Sequence, residues 1–366
     1  MFRNYRSPHY FDKAIGLKEA EEKRVFKTTD IVKRVGVITN NRVILKDFPV
    51  KNPIAVFNPA IMIKDNIAHV YARIILGYYM YISSIAEIQV PIEDIFNGDV
   101  NVNSYTSSIV IYPSTRYDIW GTEDPRVYKI DDQVFMTYTG RTVNYFNTLI
   151  NVEKTLPITA IYRRKGWEKV HAYMMREELR LRIISDKDAF LVNTNRRFYL
   201  FHRPHIDEGY RLLISEIDRR ELEHDLSSKL TGLRRIRVGS SIEALRPANF
   251  EQRLGWATPP IYIKPNEIIA FVHSSDREVQ AYRLFAMEIE FREDNVVIKA
   301  ITPTYIMEPR KTYEIIGDRT YTIFPCGIWK VDDKYLISYG AGDFMVGLGE
   351  LDITELMALL DKGRIY

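Results

Sequence analysis

The residues best suited to chemistry recur at matching places along the chain. Five segments can be written in register: NPAIMIKDNIAHVYAR from Asn58, DPRVYKIDDQVFMTYT from Asp124, DAFLVNTNRRFYLFHR from Asp188, PPIYIKPNEIIAFVHS from Pro259 and PCGIWKVDDKYLISYG from Pro325. Their starts lie 66, 64, 71 and 66 residues apart. Around the starts stand Asn58, Glu123, Asp124, Lys187 and Asp188, and around the ends Arg73, Tyr138, His202, Arg203, His273 and Tyr339. An acid set among arginine, lysine and histidine suits acid catalysis on a substrate held with a phosphate or carboxylate. Arginine offers a bidentate fork and lysine a point charge. Asp124 is the candidate acid. Cations normally lower a neighbouring carboxyl's pKa, so an acid acting near neutral pH needs partial burial or a proton relay. Each residue also has a structural alternative. Asp124 could cap a turn before Pro125 with Arg126 paired to Glu123, Arg203 could pair with Asp188, and His202 and His273 could be satisfied structural histidines. Convergence of all five segments favours a site.

The elements that must position these residues follow from the same register. Seven residues into the segments stand Asp65, Asp131, Asn195, Asn266 and Asp332, and twelve residues in stand Val70, Met136, Leu200, Phe271 and Ile337. Each segment is therefore expected to form strand, tight turn, strand. The intervals of about 50 residues have room for two more strands each. Forty-one Phe and Tyr residues favour strands. Five units of about four strands predict an all-β, five-bladed β-propeller with short helical N- and C-terminal extensions; a β-sandwich is the alternative. In a hairpin the start and end lie side by side, so the polar residues named above converge on one mouth of the central axis. The predicted organisation is an N-terminal extension over 1–50 with a helix over 14–26, a propeller over 51–352 and a C-terminal helix over 353–366. Thr354 is the expected cap of that last helix, Leu356, Leu359 and Leu360 share its apolar face, and Gly363 stops it. A further helix is expected over 217–230.

Composition narrows the function. Fifty-one Lys and Arg against 48 Asp and Glu leave a net charge of +3 over 366 residues. That balance excludes a polyanion-coating protein, so no nucleic-acid partner is expected and positive potential must be local. The single Cys326 excludes an intrachain disulfide framework and a cysteine metal cluster. The first residues lack an apolar signal-peptide core, and no 18-residue apolar run exists. A cytoplasmic protein without a membrane partner is expected. Scarce glutamine with abundant Ile, Lys, Arg and Glu hints at a hot-growing source. His202, His205 and Asp207 have metal-like spacing but no clear further ligand, so no metal site is expected. The glycines at 340, 342, 347 and 349 are turn glycines, and the Arg234, Arg235, Arg237 run is a solvated face.

The ordered motifs resemble glycoside hydrolase family 130, the β-mannoside phosphorylases and related mannosidases. They are Phe57-Asn-Pro-Ala60, Tyr71-Ala-Arg73, Gly121-Thr-Glu-Asp-Pro-Arg126, Lys187-Asp188, His202-Arg-Pro204, Thr258-Pro-Pro-Ile261 with His273, Phe324-Pro-Cys-Gly327 and Tyr339-Gly-Ala-Gly-Asp343. The resemblance implies a five-bladed propeller that cleaves β-mannosides with phosphate, inverting to α-mannose 1-phosphate. It implies Asp124 as the acid, acting through the mannose 3-hydroxyl. It implies Arg73, Lys187, Arg203 and His273 as phosphate ligands. Asn58, Glu123, Asp188, His202, Tyr339 and Asp343 are the expected substrate contacts. No cofactor is implied beyond phosphate as co-substrate. The partners are a β-mannoside oligosaccharide and phosphate, with the terminal helices as candidate contacts of a homo-oligomer. Alternatives are an inverting β-mannosidase of the same family and a non-catalytic carbohydrate-binding propeller. Trp256, Ser274 and Pro309-Arg310 depart from the family pattern, and are expected to reshape the leaving-group side of the pocket.

Overall fold

A computed structural model describes residues 10–164, 166–195, 197–222 and 232–366. The strands assemble into five sheets arranged as a five-bladed propeller. The innermost hairpins are those expected from the repeat. Blade 1 opens with Ala55–Lys64 and Ile67–Ile75, blade 2 with Thr122–Ile130 and Gln133–Arg141, and blade 3 with Ile183–Asn193 and Phe198–Ile206. Blade 5 opens with Ile323–Val331 and Lys334–Ala341. Asp65, Asp131 and Asp332 turn the chain with φ of 51°, 52° and 52°, a left-handed conformation that Asp adopts at modest cost. Blade 4 departs from the pattern. Its innermost strand is broken into Glu251–Trp256 and Ile261–Lys264, both paired to Glu267–Asp276. Pro259 and Pro260 lie in the break, where neither can donate to a ladder.

The segment before residue 50 is not an appendage. Val32–Ile38 runs antiparallel to Met345–Leu351 as the outer strand of blade 5. Val43–Leu45 edges blade 1 beside Tyr105–Ile111, and Asp12–Lys13 edges blade 3 beside Ser241–Leu245. These strands cover sheet edges that would otherwise present unpaired N–H and C=O groups. Pairing across nearly the whole chain leaves no local signal, which is why the expected boundary at 50 does not match the pairing.

Leu17–Glu22 is helical within the expected 14–26. The expected helix over 217–230 falls largely outside the described residues. The C-terminal helix spans Ile353–Lys362 and buries Leu356, Leu359 and Leu360. Its cap is Asp352, not Thr354: the Asp352 carboxylate accepts the Thr354 and Glu355 amides at 2.8 and 3.0 Å. A carboxylate at that position also favours the helix dipole.

One buried ion pair anchors the broken blade. Arg24 donates to Glu251 through both terminal nitrogens, Nη1 to Oε2 at 2.5 Å, and Glu251 also accepts the Tyr305 hydroxyl at 2.8 Å. The two charged side chains are 2% and 0% exposed. Arg24→Leu leaves the Glu251 carboxylate buried without its counter-charge. That should cost about 3–5 kcal/mol of stability, read as a fall in urea midpoint.

Candidate active site

The site is built from a defect repeated in four blades. The innermost strands of blades 1, 2, 3 and 5 each carry an extra residue near the start of the aligned segment, seen as register shifts at Phe57/Ala60, Glu123/Arg126, Lys187/Phe190 and Pro325/Gly327, and blade 3 has a second shift at Ile183/Ser185. In the first three the extra residue includes Asn58, Asp124 or Asp188, with φ of 48°, 50° and 53°. A bulge re-aims a side chain, and Asn and Asp tolerate the left-handed conformation it needs. Asp343 on blade 5 has φ of 51°. One carboxamide and three carboxylates are thereby turned to the axial mouth.

They line a cavity of about 260 Å³ together with Arg73, Lys187, Arg203, Arg253, Arg319, Tyr210 and Tyr282. Blades 1, 2 and 5 supply Asn58, Arg73, Asp124 and Asp343. Asp124 Oδ1 accepts Asn58 Nδ2 at 2.8 Å and Arg73 Nη1 at 3.3 Å. Blades 3 and 4 supply the cationic wall of Lys187, Arg203 and Arg253. Arg203 Nε donates to Asp188 Oδ2 at 2.5 Å. The guanidiniums of Arg203 and Arg253 lie 4.7 and 5.6 Å from the Tyr210 ring centre. Among the described residues no carboxylate pairs with Arg253 or Arg319, and Arg253 Nε is buried without a hydrogen-bond partner.

Behind the cavity the charges are saturated. Glu123 Oε1 accepts Arg73 Nη2, Arg141 Nε and the Tyr145 hydroxyl at 3.0, 3.0 and 2.6 Å, and Oε2 accepts Lys187 at 2.8 Å. Burial alone would raise the Glu123 pKa, but Arg73, Lys187 and Arg141 outweigh it and hold the carboxyl well below its usual range. Asp188 is likewise held low: burial opposes ionisation, but Arg203, Arg126 and His273 overcome it. Burial pushes His273 down to about 3, with nearby arginines adding to the effect against Asp188. Its ring is therefore neutral at pH 7.

The expected residues divide into two groups. Asn58, Arg73, Asp124, Lys187, Asp188, Arg203 and Asp343 line the cavity. Four expected contacts do not. His202 is fully buried, with Nδ1 on Asp186 Oδ2 and Nε2 on Ser215 Oγ, both at 2.7 Å. Tyr339 donates to Glu314 at 2.7 Å inside blade 5. Glu123 and His273 stand behind the lining residues. Arg126 pairs with Asp188 rather than Glu123. The departures from the family pattern also lie elsewhere. Trp256 packs in the core and donates to the Leu213 carbonyl, Ser274 bonds Tyr305, and Arg310 pairs with Asp30 and Glu308. They do not touch the cavity. Arg253, Arg319, Tyr145, Tyr210 and Tyr282 were missed because they stand outside the aligned hairpin positions.

Residues 22–362 match glycoside hydrolase family 130, described as β-1,4-mannooligosaccharide phosphorylase. The chain belongs to this family. A β-1,2-mannobiose phosphorylase from a Thermoanaerobacter species is 25% identical over 329 residues, covering 84% of this chain and 96% of the relative. A 1,2-β-oligomannan phosphorylase from the same source is 24% identical over 248 residues, covering 68% and 73%. The Listeria innocua β-1,2-mannobiose phosphorylase, solved with β-1,2-mannobiose, shares the fold with a TM-score of 0.65 at 16% identity, over 91% of this chain and 97% of its own.

Two predictions test this geometry. A Cβ on Gly255 would sit 2.1 Å from His273 Nε2 and 2.4 Å from Asp188 Oδ2. Gly255→Ala should therefore displace the carboxylate that orients Arg203 and lower phosphorolysis of a β-mannobiose at least tenfold, measured on protein that circular dichroism shows to be folded. Asp343 supplies the second. Burial, then the Asp124 charge, push its carboxyl up to about 6 despite Arg319 and Arg73. Between the usual 3.8 and about 6 the folded protein keeps a proton that the unfolded chain has released. Stability thus falls as pH rises through that window and levels above it. Asp343→Asn should remove this component, read from urea unfolding of both proteins at about pH 4.5 and pH 7.

Proposed function

We propose that the chain is an inverting β-mannoside phosphorylase that forms α-mannose 1-phosphate. One observation carries this reading: an acid and an incompletely neutralised cationic wall share one small cavity. The mannose ring takes the side of Asn58, Asp124 and Asp343. Phosphate takes the side of Lys187, Arg203 and Arg253, and Arg253 replaces His273 in the expected ligand set. A phosphate oxygen attacks the anomeric carbon as the bond to the leaving oxygen breaks on the opposite side. The leaving oxygen gains a proton that originates on Asp124. Both hydrogen bonds to Asp124 fall on Oδ1, so Oδ2 is the oxygen to carry that proton. Phosphate is itself the nucleophile, so no activating base is required. The cations hold it and stabilise the transition-state charge.

A hydrolase of this stereochemistry would need a second carboxylate to activate water, about 6.5–9.5 Å from the acid. Glu123 and Asp188 are committed to cations and unsuited to that task, which leaves Asp343 as the one carboxylate of the cavity lining that a hydrolase would use. Arg253, without a counter-charge among the described residues, would have no evident use in hydrolysis. Family membership and the phosphorylase names of the relatives support phosphorolysis. The linkage is a separate matter, since the family description specifies β-1,4 and these relatives β-1,2.

Incubation with β-1,2- and β-1,4-mannobiose, with and without phosphate, tests the proposal. Nuclear magnetic resonance should show α-mannose 1-phosphate only when phosphate is present. Asp124→Asn should lower turnover about 10²–10⁴-fold, and Arg253→Ala should raise the KM for phosphate at least tenfold. Phosphate-independent release of mannose would place the chain on the hydrolase branch instead.

A further inference from the structure

Arg73 is held to the proposed acid by an arrangement whose last member stands outside the innermost hairpins. Its Nη1 donates to Asp124 Oδ1 at 3.3 Å, and its Nη2 donates to Glu123 Oε1 at 3.0 Å and to the Tyr145 hydroxyl at 3.3 Å. Its Nε is buried without a hydrogen-bond partner among the described residues. The Phe57 ring centre lies 5.0 Å from the guanidinium, and a ring face attracts a cation without fixing its rotation. The two terminal nitrogens therefore set the orientation of the group. Tyr145 closes a triangle on one of them. Its hydroxyl accepts from Arg73 and donates to Glu123 Oε1 at 2.6 Å.

Arg73, Glu123, Asp124 and Arg141 belong to the innermost hairpins of blades 1 and 2, whereas Tyr145 is carried by the loop 142–154. Thr142 ties the base of that loop, its amide donating to the Lys154 carbonyl at 3.0 Å and its hydroxyl to the Glu153 carbonyl at 2.6 Å. The Arg141 guanidinium lies 3.1 Å from the Tyr145 ring centre and holds the ring in place. The hydroxyl is thus delivered to Arg73 in a fixed position. We infer that Tyr145 is a positioning residue for the acid. Acting through Arg73, it keeps Asp124 Oδ1 turned to Arg73 and Asn58 and leaves Oδ2 to carry the proton. A small misplacement of such a group lowers the rate of the chemical step steeply. This inference rests on the phosphorylase reading, which makes Asp124 the acid.

Tyr145→Phe removes the hydroxyl and keeps the ring on Arg141. Tyr145 also lines a neighbouring chamber of about 380 Å³, so the test must separate positioning from a direct contact with the departing sugar. A β-mannobiose, methyl β-mannoside and β-mannosyl fluoride do this, each at saturating phosphate and read as α-mannose 1-phosphate formed. Mannose and methanol need a proton to depart, whereas fluoride is a weak base and needs little help. The methyl compound and the fluoride place no sugar in the chamber. In the variant, kcat for the mannobiose and the methyl mannoside should fall about tenfold or more, while kcat for the fluoride stays within about twofold. Asp124→Asn should show the same order of substrates with a larger loss. An equal fall on all three substrates would overturn the inference, since that marks a merely structural role. So would a fall confined to the mannobiose, or no fall at all. If mannose is released without phosphate, the phosphorylase reading fails, and the same three rates, read as mannose released, still decide Tyr145. If the wild type acts on none of the three, a crystal structure of Tyr145→Phe decides: Arg73 Nη1 out of hydrogen-bond reach of Asp124 Oδ1 supports the inference, and an unchanged contact overturns it.

Discussion

Arg126 is the interaction on which the site depends. Its guanidinium is fully buried and donates to the Asp124 carbonyl at 2.8 Å, the Ala257 carbonyl at 3.0 Å, the Trp256 carbonyl at 3.1 Å and Asp188 Oδ1 at 3.3 Å. One side chain therefore joins three blades at the axis. It holds the backbone of Asp124, the carboxylate that orients Arg203, and the end of the strand that carries Arg253. A planar group with five donors in fixed directions can do this, whereas the single ammonium of lysine cannot. A guanidinium also stays charged where burial would neutralise a weaker base. Breaking such a buried node costs more than its own hydrogen bonds, because the partners are left unpaired.

Around this node the cavity commits some charges and spares others. Glu123 absorbs Arg73, Arg141 and Lys187, and Asp188 absorbs Arg126 and Arg203. Those pairs fix side chains in place before any ligand arrives, which reduces the reorganisation that binding or reaction would require. Arg253 and Arg319 are held instead by stacking near Tyr282, at 5.3 and 4.4 Å from its ring centre. Stacking positions a guanidinium without neutralising it. The site thus contains both orienting ion pairs and charge still available to an anion.

The five hairpins were readable in the sequence because their turn residues and apolar positions recur in one register. Asn58, Asp124 and Asp188 were found for the same reason: each stands at the bulge, the same phase of its blade. The failures trace to equally physical causes. His202 and Arg203 are neighbours on one strand, and neighbours point to opposite faces. The spacing placed both near the mouth, but strand alternation sent only Arg203 into the cavity. Tyr339 follows the repeat in sequence yet finds Glu314, a residue outside it. Arg253 and Arg319 carry no repeat signal, since blade 4 breaks its innermost strand and Arg319 precedes the blade 5 hairpin. Local spacing likewise contains nothing of the match between Val32 and Leu351.

That last pairing has a consequence for how the protein comes into being. The outer strand of blade 5 is made before blade 1, but its partner strand, Met345–Leu351, is made only after blade 4. Asn58 and Asp343, which face one cavity, come from blades at opposite ends of the chain. The ring therefore closes after translation of nearly all its residues, and the cavity is assembled in that same event. Partly made chains have no complete cavity, so chemistry begins only once the circle is whole.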